Sequence, residues 1–208
     1  MDPESASLTR PRSLSQWMRA RFKVVLDPIA GFLNRLGLAP NTVTLFGLAG
    51  NTVASVLLAL GDTSLGGGIV LIMGPIDALD GAMARLRGEP SAFGGFVDSV
   101  TDRYSELLIL GGVLTHFALE QNALGAILTF AAAAGSVMVS YTKARAEALK
   151  FECDIGLLTR VERYLVLSPA LILNVPLIGV GIIALFANIT ALQRILFVRA
   201  QARRMRHE

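Results

Sequence analysis

From Tyr164 to Gln193 the chain runs for thirty residues without an Asp, Glu, Lys, Arg or His. As one helix that run would measure about 45 Å, whereas a bilayer core is about 30 Å thick and takes roughly 20 residues to cross. One crossing cannot use it, and Asn174-Val175-Pro176 stands at its middle with the residues of a turn. Two helices are therefore expected here, each extending past the uncharged run at its outer end. Upstream, Val43–Leu60 is uncharged and follows Pro40-Asn41-Thr42, and Ala123–Thr142 is a second clean span. Leu65–Ile76 opens another span that runs on into charged residues, and Phe96–Leu119 one that begins among acids. The expected class is an all-α integral membrane protein with six transmembrane helices. With 53% hydrophobic residues and a mean hydropathy of +0.57, the composition lies outside the usual soluble range.

The basic residues test this count. They precede the first span (Arg10, Arg12, Arg19, Arg21, Lys23, Arg35) and separate the second from the third (Arg85, Arg87). They return between the fourth and fifth (Lys143, Arg145, Lys150, Arg160, Arg163), and follow the sixth from Arg194 on. The three other connections hold no Lys or Arg. This alternation predicts that both termini face the cytoplasm, in a multi-pass inner-membrane protein. It also accounts for the net charge of +3 and the pI near 9.4 without a nucleic-acid partner. Met1–Pro11 is polar, has no signal-peptide core, and reads as a disordered lead. Leu14–Leu26 mixes Trp17, Met18, Phe22 and Val25 with Arg19, Arg21 and Lys23, as an amphipathic helix in the interface does. The domain division is then 1–26 for lead and interfacial helix, and 27–208 for the six-helix domain. Cys153 is the single cysteine, and His116 and His207 are too few and too scattered for a zinc or triad site.

Acids at membrane depth are costly and usually functional. Asp77 and Asp80 lie near the end of the second span, and Asp98 and Asp102 near the start of the third. Asp77, Asp80, Gly81, Ala84 and Arg85 share one helical face, and Gly94, Asp98 and Asp102 share one face of the next helix. Between them Leu86–Phe93 contains Gly88 and Pro90, so the helices can return antiparallel with four carboxylates facing one another. Four such acids repel unless hard cations join them, and two divalent ions, Mg²⁺ or Mn²⁺, match four carboxylates. Gly81 and Gly94 remove side chains where a substrate must approach the backbone. A two-cation centre suits displacement at phosphorus. Buried ion pairs with Arg85, Arg87 or Arg103, or a cation-coupled transporter, are the competing readings. Neither explains the glycines or the regular spacing.

Asp77-Ala78-Leu79-Asp80-Gly81-Ala82-Met83-Ala84-Arg85, then eight residues, Gly94, three residues, Asp98, three residues and Asp102 resembles the full signature of the CDP-alcohol phosphotransferase family, at all eight fixed positions. The resemblance implies a CDP-linked lipid donor such as CDP-diacylglycerol, CMP as leaving group, divalent cations as cofactors, and a homodimer. It implies Asp77, Asp80 and Asp98 as metal ligands, with Asp102 as a ligand of the second metal and general base. It gives Gly81, Arg85 and Ser91, with Asp77 and Gly94 beside them, to the CDP-lipid. Asn41-Thr42-Val43-Thr44 resembles the family's other nucleotide-contacting stretch.

Ser140-Tyr141-Thr142-Lys143-Ala144-Arg145-Ala146-Glu147 resembles the bacterial phosphatidylinositol-phosphate synthase branch, with Arg160, Arg163 and Gln193-Arg194 at its further basic positions. Thr159-Arg160-Val161-Glu162-Arg163 departs from that branch in lacking a proline. Lys143, Arg163 and Arg194, with Arg160 beside them, are expected to converge on the phosphate of an acceptor such as inositol phosphate. Glycerol 3-phosphate, and so phosphatidylglycerol-phosphate synthesis, would use a similar basic pocket.

Overall fold

A computed structural model describes residues 26–88 and 91–205. These residues form helices and short connections, with no strand among them. The expected lead and nearly all of the expected interfacial helix, Leu14–Leu26, lie outside the described residues. A helical stretch over 26–35, here α1, leads into six longer helices. These are α2 (Pro40–Ala59), α3 (Thr63–Arg87), α4 (Ala92–Leu119), α5 (Ala123–Ala148), α6 (Arg160–Ile172) and α7 (Pro176–Arg204).

Three of them, α2, α5 and α7, are long and apolar enough to cross a membrane. The remaining three fall short for physical reasons. The acids and arginines of α3 and α4 interrupt their apolar runs, and α6 has only 13 residues, a rise of about 20 Å. The expected break in the long run is present: α6 ends at Ile172, and Asn174 takes a left-handed conformation (φ 58°) before Pro176 opens α7. Thr63 Oγ1 donates to Asn174 Oδ1 at 2.5 Å, tying this turn to the start of α3. Helix α5 continues six residues beyond the expected Thr142, which puts Lys143 on its last turns.

Local signals set the other ends. Ser91 caps α4, its Oγ accepting from Gly94 N at 2.9 Å, and Asn122 caps α5 in the same way through Gly125 N. Gly88 closes α3 at φ 71°, a conformation that glycine adopts without penalty. Packing joins α2 to α3 and α4, α5 to α4 and α7, and α6 to α3 and α7. The main core includes Leu58, Val70, Leu110, Val113, Leu171, Val180 and Ile183. A smaller cluster, Leu26, Ala30, Val43, Leu79, Ala82 and Met83, seats α1 against α2 and α3. Outside these cores Leu45, Phe46, Val53, Val56, Ile127, Phe130, Ile178, Leu185 and Leu192 are exposed, an apolar exterior of the kind a lipid phase accommodates. The described residues are thus all helical outside their connections, with three candidate membrane spans.

Candidate active site

Helices α3 and α4 carry the acids to one end of the bundle, and α6 meets them there. Asp77, Asp80 and Asp102 are buried, and Asp98, one turn before Asp102, is partly buried. One guanidinium joins two of these acids: Arg160 Nη2 donates to Asp77 Oδ2, and Arg160 Nη1 to Asp102 Oδ2. The other oxygen of each, Asp77 Oδ1 and Asp102 Oδ1, is buried without a hydrogen-bond partner. Thr44, at the start of α2, donates its hydroxyl to Asp80 Oδ2 at 2.5 Å. A cavity of roughly 70 Å³ opens beside this cluster, lined in part by Asn51, Asp77, Asp102, Ser105, Glu106 and Arg160.

No group of three acids closes on a single point among the described residues. The donor set nevertheless fits hard cations. It consists of carboxylate oxygens, two of them orphaned in a buried setting, and a guanidinium already occupies the cationic position between Asp77 and Asp102. Gly47 contributes as well: a Cβ there would come within 3.2 Å of Asp77 Oδ1, so a larger residue would crowd the orphaned oxygen.

The residues assigned from sequence fall into three groups. The first gathers at one end of the bundle: Asp77, Asp80 and Asp102, with Asp98 on the same face of α4, and beside them Thr44, which the sequence places in the nucleotide-contacting stretch. The second lines the neighbouring surface. Arg85 is exposed, and its Nη1 lies back over Gly81, 3.3 Å from where a Cβ would stand. Asn41 and Thr42 are exposed at the N-terminus of α2, Val43 is buried in the small core, and Ser91 and Gly94 form the α4 cap.

The third group is the basic set, and it does not converge as expected. Arg163 is buried and forms a two-pronged pair with Glu106, Nε to Oε1 at 2.6 Å and Nη2 to Oε2 at 2.9 Å. Arg194 is buried too, donating through Nε to Ile155 O at 2.8 Å and through Nη1 to Val139 O. Both guanidinium groups are spent inside the protein, because burial without partners would cost more than the pairs do. Lys143 reaches outward to Asp154, Nζ to Oδ1 at 2.6 Å, with Glu147 at 3.5 Å. Arg160 alone of the four touches the acids, with its side chain 42% exposed.

Glu106 and Gly47 escaped the sequence reading. Glu106 had a signal, since Gly94, Asp98, Asp102 and Glu106 recur every fourth residue along one face of α4. Gly47 had none, because its role depends on how α2 crosses α3.

A family model described as CDP-alcohol phosphatidyltransferase matches residues 37–195, which span α2 to the middle of α7 and hold every acid of the site. The chain belongs to this family. Archaetidylinositol phosphate synthase of Pyrococcus horikoshii is 38% identical over 183 residues, covering 86% of this chain and 93% of the relative. Phosphatidylinositol phosphate synthase of Streptomyces avermitilis is 36% identical over 207 residues, covering 91% and 84%. The crystal structure of Mycobacterium tuberculosis phosphatidylinositol phosphate synthase with CDP-DAG bound superposes with a TM-score of 0.78 at 31% identity, covering 84% of this chain and 93% of that one. The same enzyme in complex with manganese and citrate gives 0.78 at 31%, covering 83% and 88%. Family membership makes the chain a phosphotransferase and excludes the transporter reading. Members of the family use divalent metals, in accord with the oxygen donors found here.

Proposed function

We propose that the chain transfers a phosphatidyl group from CDP-diacylglycerol to inositol phosphate, releasing CMP and forming phosphatidylinositol phosphate. The observation that carries this reading is Arg160, a half-exposed cation held between Asp77 and Asp102 and so placed to meet a second phosphate next to the reacting one. Relatives of bacterial and archaeal origin named for inositol phosphate lipids support the same acceptor.

Asp77, Asp80, Asp98 and Asp102 would hold two divalent cations, Mg²⁺ or Mn²⁺. When bound, these supply charge stabilisation for the attacking and leaving oxygens. Arg85, Gly81 and Gly94, with Asn41, Thr42 and the α4 cap at Ser91, form the bed for the cytidine diphosphate. Thr44 acts one step back, orienting Asp80. The acceptor hydroxyl gives its proton to Asp102, whose Oδ1 has no protein donor to displace. Its oxygen then bonds to the lipid-side phosphorus, and the bond from that phosphorus to CMP breaks. Arg160 and Lys143 bind the acceptor's phosphate, and Arg163 and Arg194 shape the floor beneath it from inside.

The same reading takes α2 to α7 as six membrane crossings over 27–208, with both termini and the active site on the cytoplasmic side and residues 1–26 as lead and interfacial helix. The lysines and arginines at the acid-bearing end, and their absence from the connections at Gly61–Asp62, Glu120–Asn122 and Leu173–Val175, support that orientation. The family resemblance supports a homodimer.

The test is CMP release from CDP-diacylglycerol with Mg²⁺ or Mn²⁺, run with inositol phosphate, glycerol 3-phosphate, free inositol and serine. Inositol phosphate is expected to support turnover, and free inositol to fail. Faster turnover with glycerol 3-phosphate would move the assignment to phosphatidylglycerol-phosphate synthesis.

A further inference from the structure

Pro75 lies inside α3, two residues before Asp77. A proline within a helix has no amide to offer the carbonyl four residues back, here that of Leu71. A side chain from another helix fills the gap. The hydroxyl of Tyr164, on α6, donates to Leu71 O and is shared with Val70 O at 3.1 Å. Its ring reaches that point because residue 74 is glycine: a Cβ there would stand 2.6 Å from Tyr164 Cε2. Tyr164 and Arg160 are four residues apart on one face of α6. That face therefore meets α3 twice, once at the carbonyl left by Pro75 and once at Asp77.

We propose that Tyr164 is a positioning residue, its hydroxyl standing in for the missing Pro75 amide, fixing α3 at its weak point and thereby setting Asp77 opposite α4. Gly74 is the seat that admits it. Tyr164 contacts no reacting atom in this role and acts through the carboxylate of Asp77. The inference rests on the reading of Asp77 as a cation ligand.

The full-length protein in detergent is titrated with Mn²⁺ in the absence of either substrate, and CMP release is measured separately. Tyr164→Phe keeps the ring on Gly74 and removes only the hydroxyl. The Mn²⁺ dissociation constant is expected to rise about tenfold, the scale of losing an outer-shell partner. The kcat at Mn²⁺ below saturation should fall with it. A merely structural tyrosine would lower the unfolding temperature and leave Mn²⁺ affinity alone, an outcome that overturns the proposal.

The decisive comparison uses Pro75→Ala, which restores the amide to Leu71 O. In that background Tyr164→Phe should change Mn²⁺ affinity by less than about twofold, because the two groups serve one carbonyl. An equal loss in both backgrounds would overturn the proposal. Should Pro75→Ala not fold, Gly74→Ala, which pushes the ring off its seat, must reproduce the loss. Gly68→Ala, at an open position of the same helix, must not. Normal Mn²⁺ affinity in Gly74→Ala refutes the role of the seat. Loss of Mn²⁺ binding in Asp77→Asn keeps the ligand reading standing, so a normal constant in Tyr164→Phe then counts against Tyr164 alone.

Discussion

The acids of α3 and α4 and the basic residues of α5, α6 and α7 differ in more than sign. Asp77 and Asp102 each keep a buried oxygen without a partner, and Asp80 accepts from the Thr44 hydroxyl and the Gly81 amide. Arg163 and Arg194, by contrast, are engaged by Glu106 and by backbone carbonyls, Arg163 through both prongs and Arg194 through Nε and Nη1. A buried group left wanting a partner is poised to take a ligand, whereas one already satisfied holds the fold. The functional charge of this bundle is thus concentrated in the acids and Arg160, and much of the remaining positive charge is structural.

The contrast breaks most sharply at the acids. Asp77→Asn and Asp98→Asn preserve shape and remove a cation ligand from α3 and α4 respectively. Turnover should fall well beyond the 10–100-fold that losing an outer-shell partner costs, with thermal unfolding little changed. CMP release at saturating Mn²⁺ decides this, and residual activity with ordinary metal dependence would contradict the two-cation centre.

Arginine against arginine gives the next largest effect. Arg163→Ala leaves the partly buried Glu106 with only Arg103, 3.5 Å away, and should destabilise the protein by up to about 3–5 kcal/mol, read as loss of folded protein in detergent. The paired change Arg163→Met with Glu106→Leu should recover part of that loss, since it removes both charges together, although it also takes from Arg103 its carboxylate partner. Arg160→Ala should instead leave a folded enzyme. Its acceptor KM should rise about one to two decades, the worth of a charge-assisted hydrogen bond of roughly 1.5–3 kcal/mol. The KM for the CDP-lipid should move little. A stable Arg163→Ala with a raised acceptor KM would return Arg163 to the phosphate pocket.

That division also marks how far the sequence could be read. The acids were legible because a helix fixes the relation between spacing and face, so that Asp77 with Asp80, and Asp98 with Asp102, determine which sides meet. The break at Asn174 was legible for a similar reason, a turn residue inside a run too long for one crossing. The partners of the long basic side chains were not. Arg163 and Arg160 sit three residues apart on α6, yet one turns to Glu106 and the other to Asp77, and only the placement of α4 and α3 decides which. The resemblance gives Thr44 to the nucleotide, and the hydrogen bond its hydroxyl donates to Asp80 lies across a helix pair that no local signal describes.

The smallest effect lies where a basic residue meets solvent. Lys143 pairs with Asp154 in the α5–α6 connection, and that hydrogen bond, followed by the lysine's charge, holds the Asp154 carboxyl below the usual carboxylate range. A depressed carboxylate adds stability that is complete above its unfolded value, near pH 4, and is lost as the pH falls through the lower folded value. Asp154 is 85% exposed, so its share is at most a fraction of the ~0.2–1 kcal/mol that surface pairs measure. Unfolding of Asp154→Asn should therefore match the parent within that margin at neutral pH and become indistinguishable from it in strong acid. The more telling readout is the acceptor. If Lys143 alternates between Asp154 and the acceptor's phosphate, Asp154→Asn frees it and lowers the acceptor KM slightly, by no more than about twofold at such an exposed site. Lys143→Ala should raise that KM. The same shift in both variants would make Lys143 a surface strut like its buried neighbours, and leave Arg160 as the single basic contact to the acceptor.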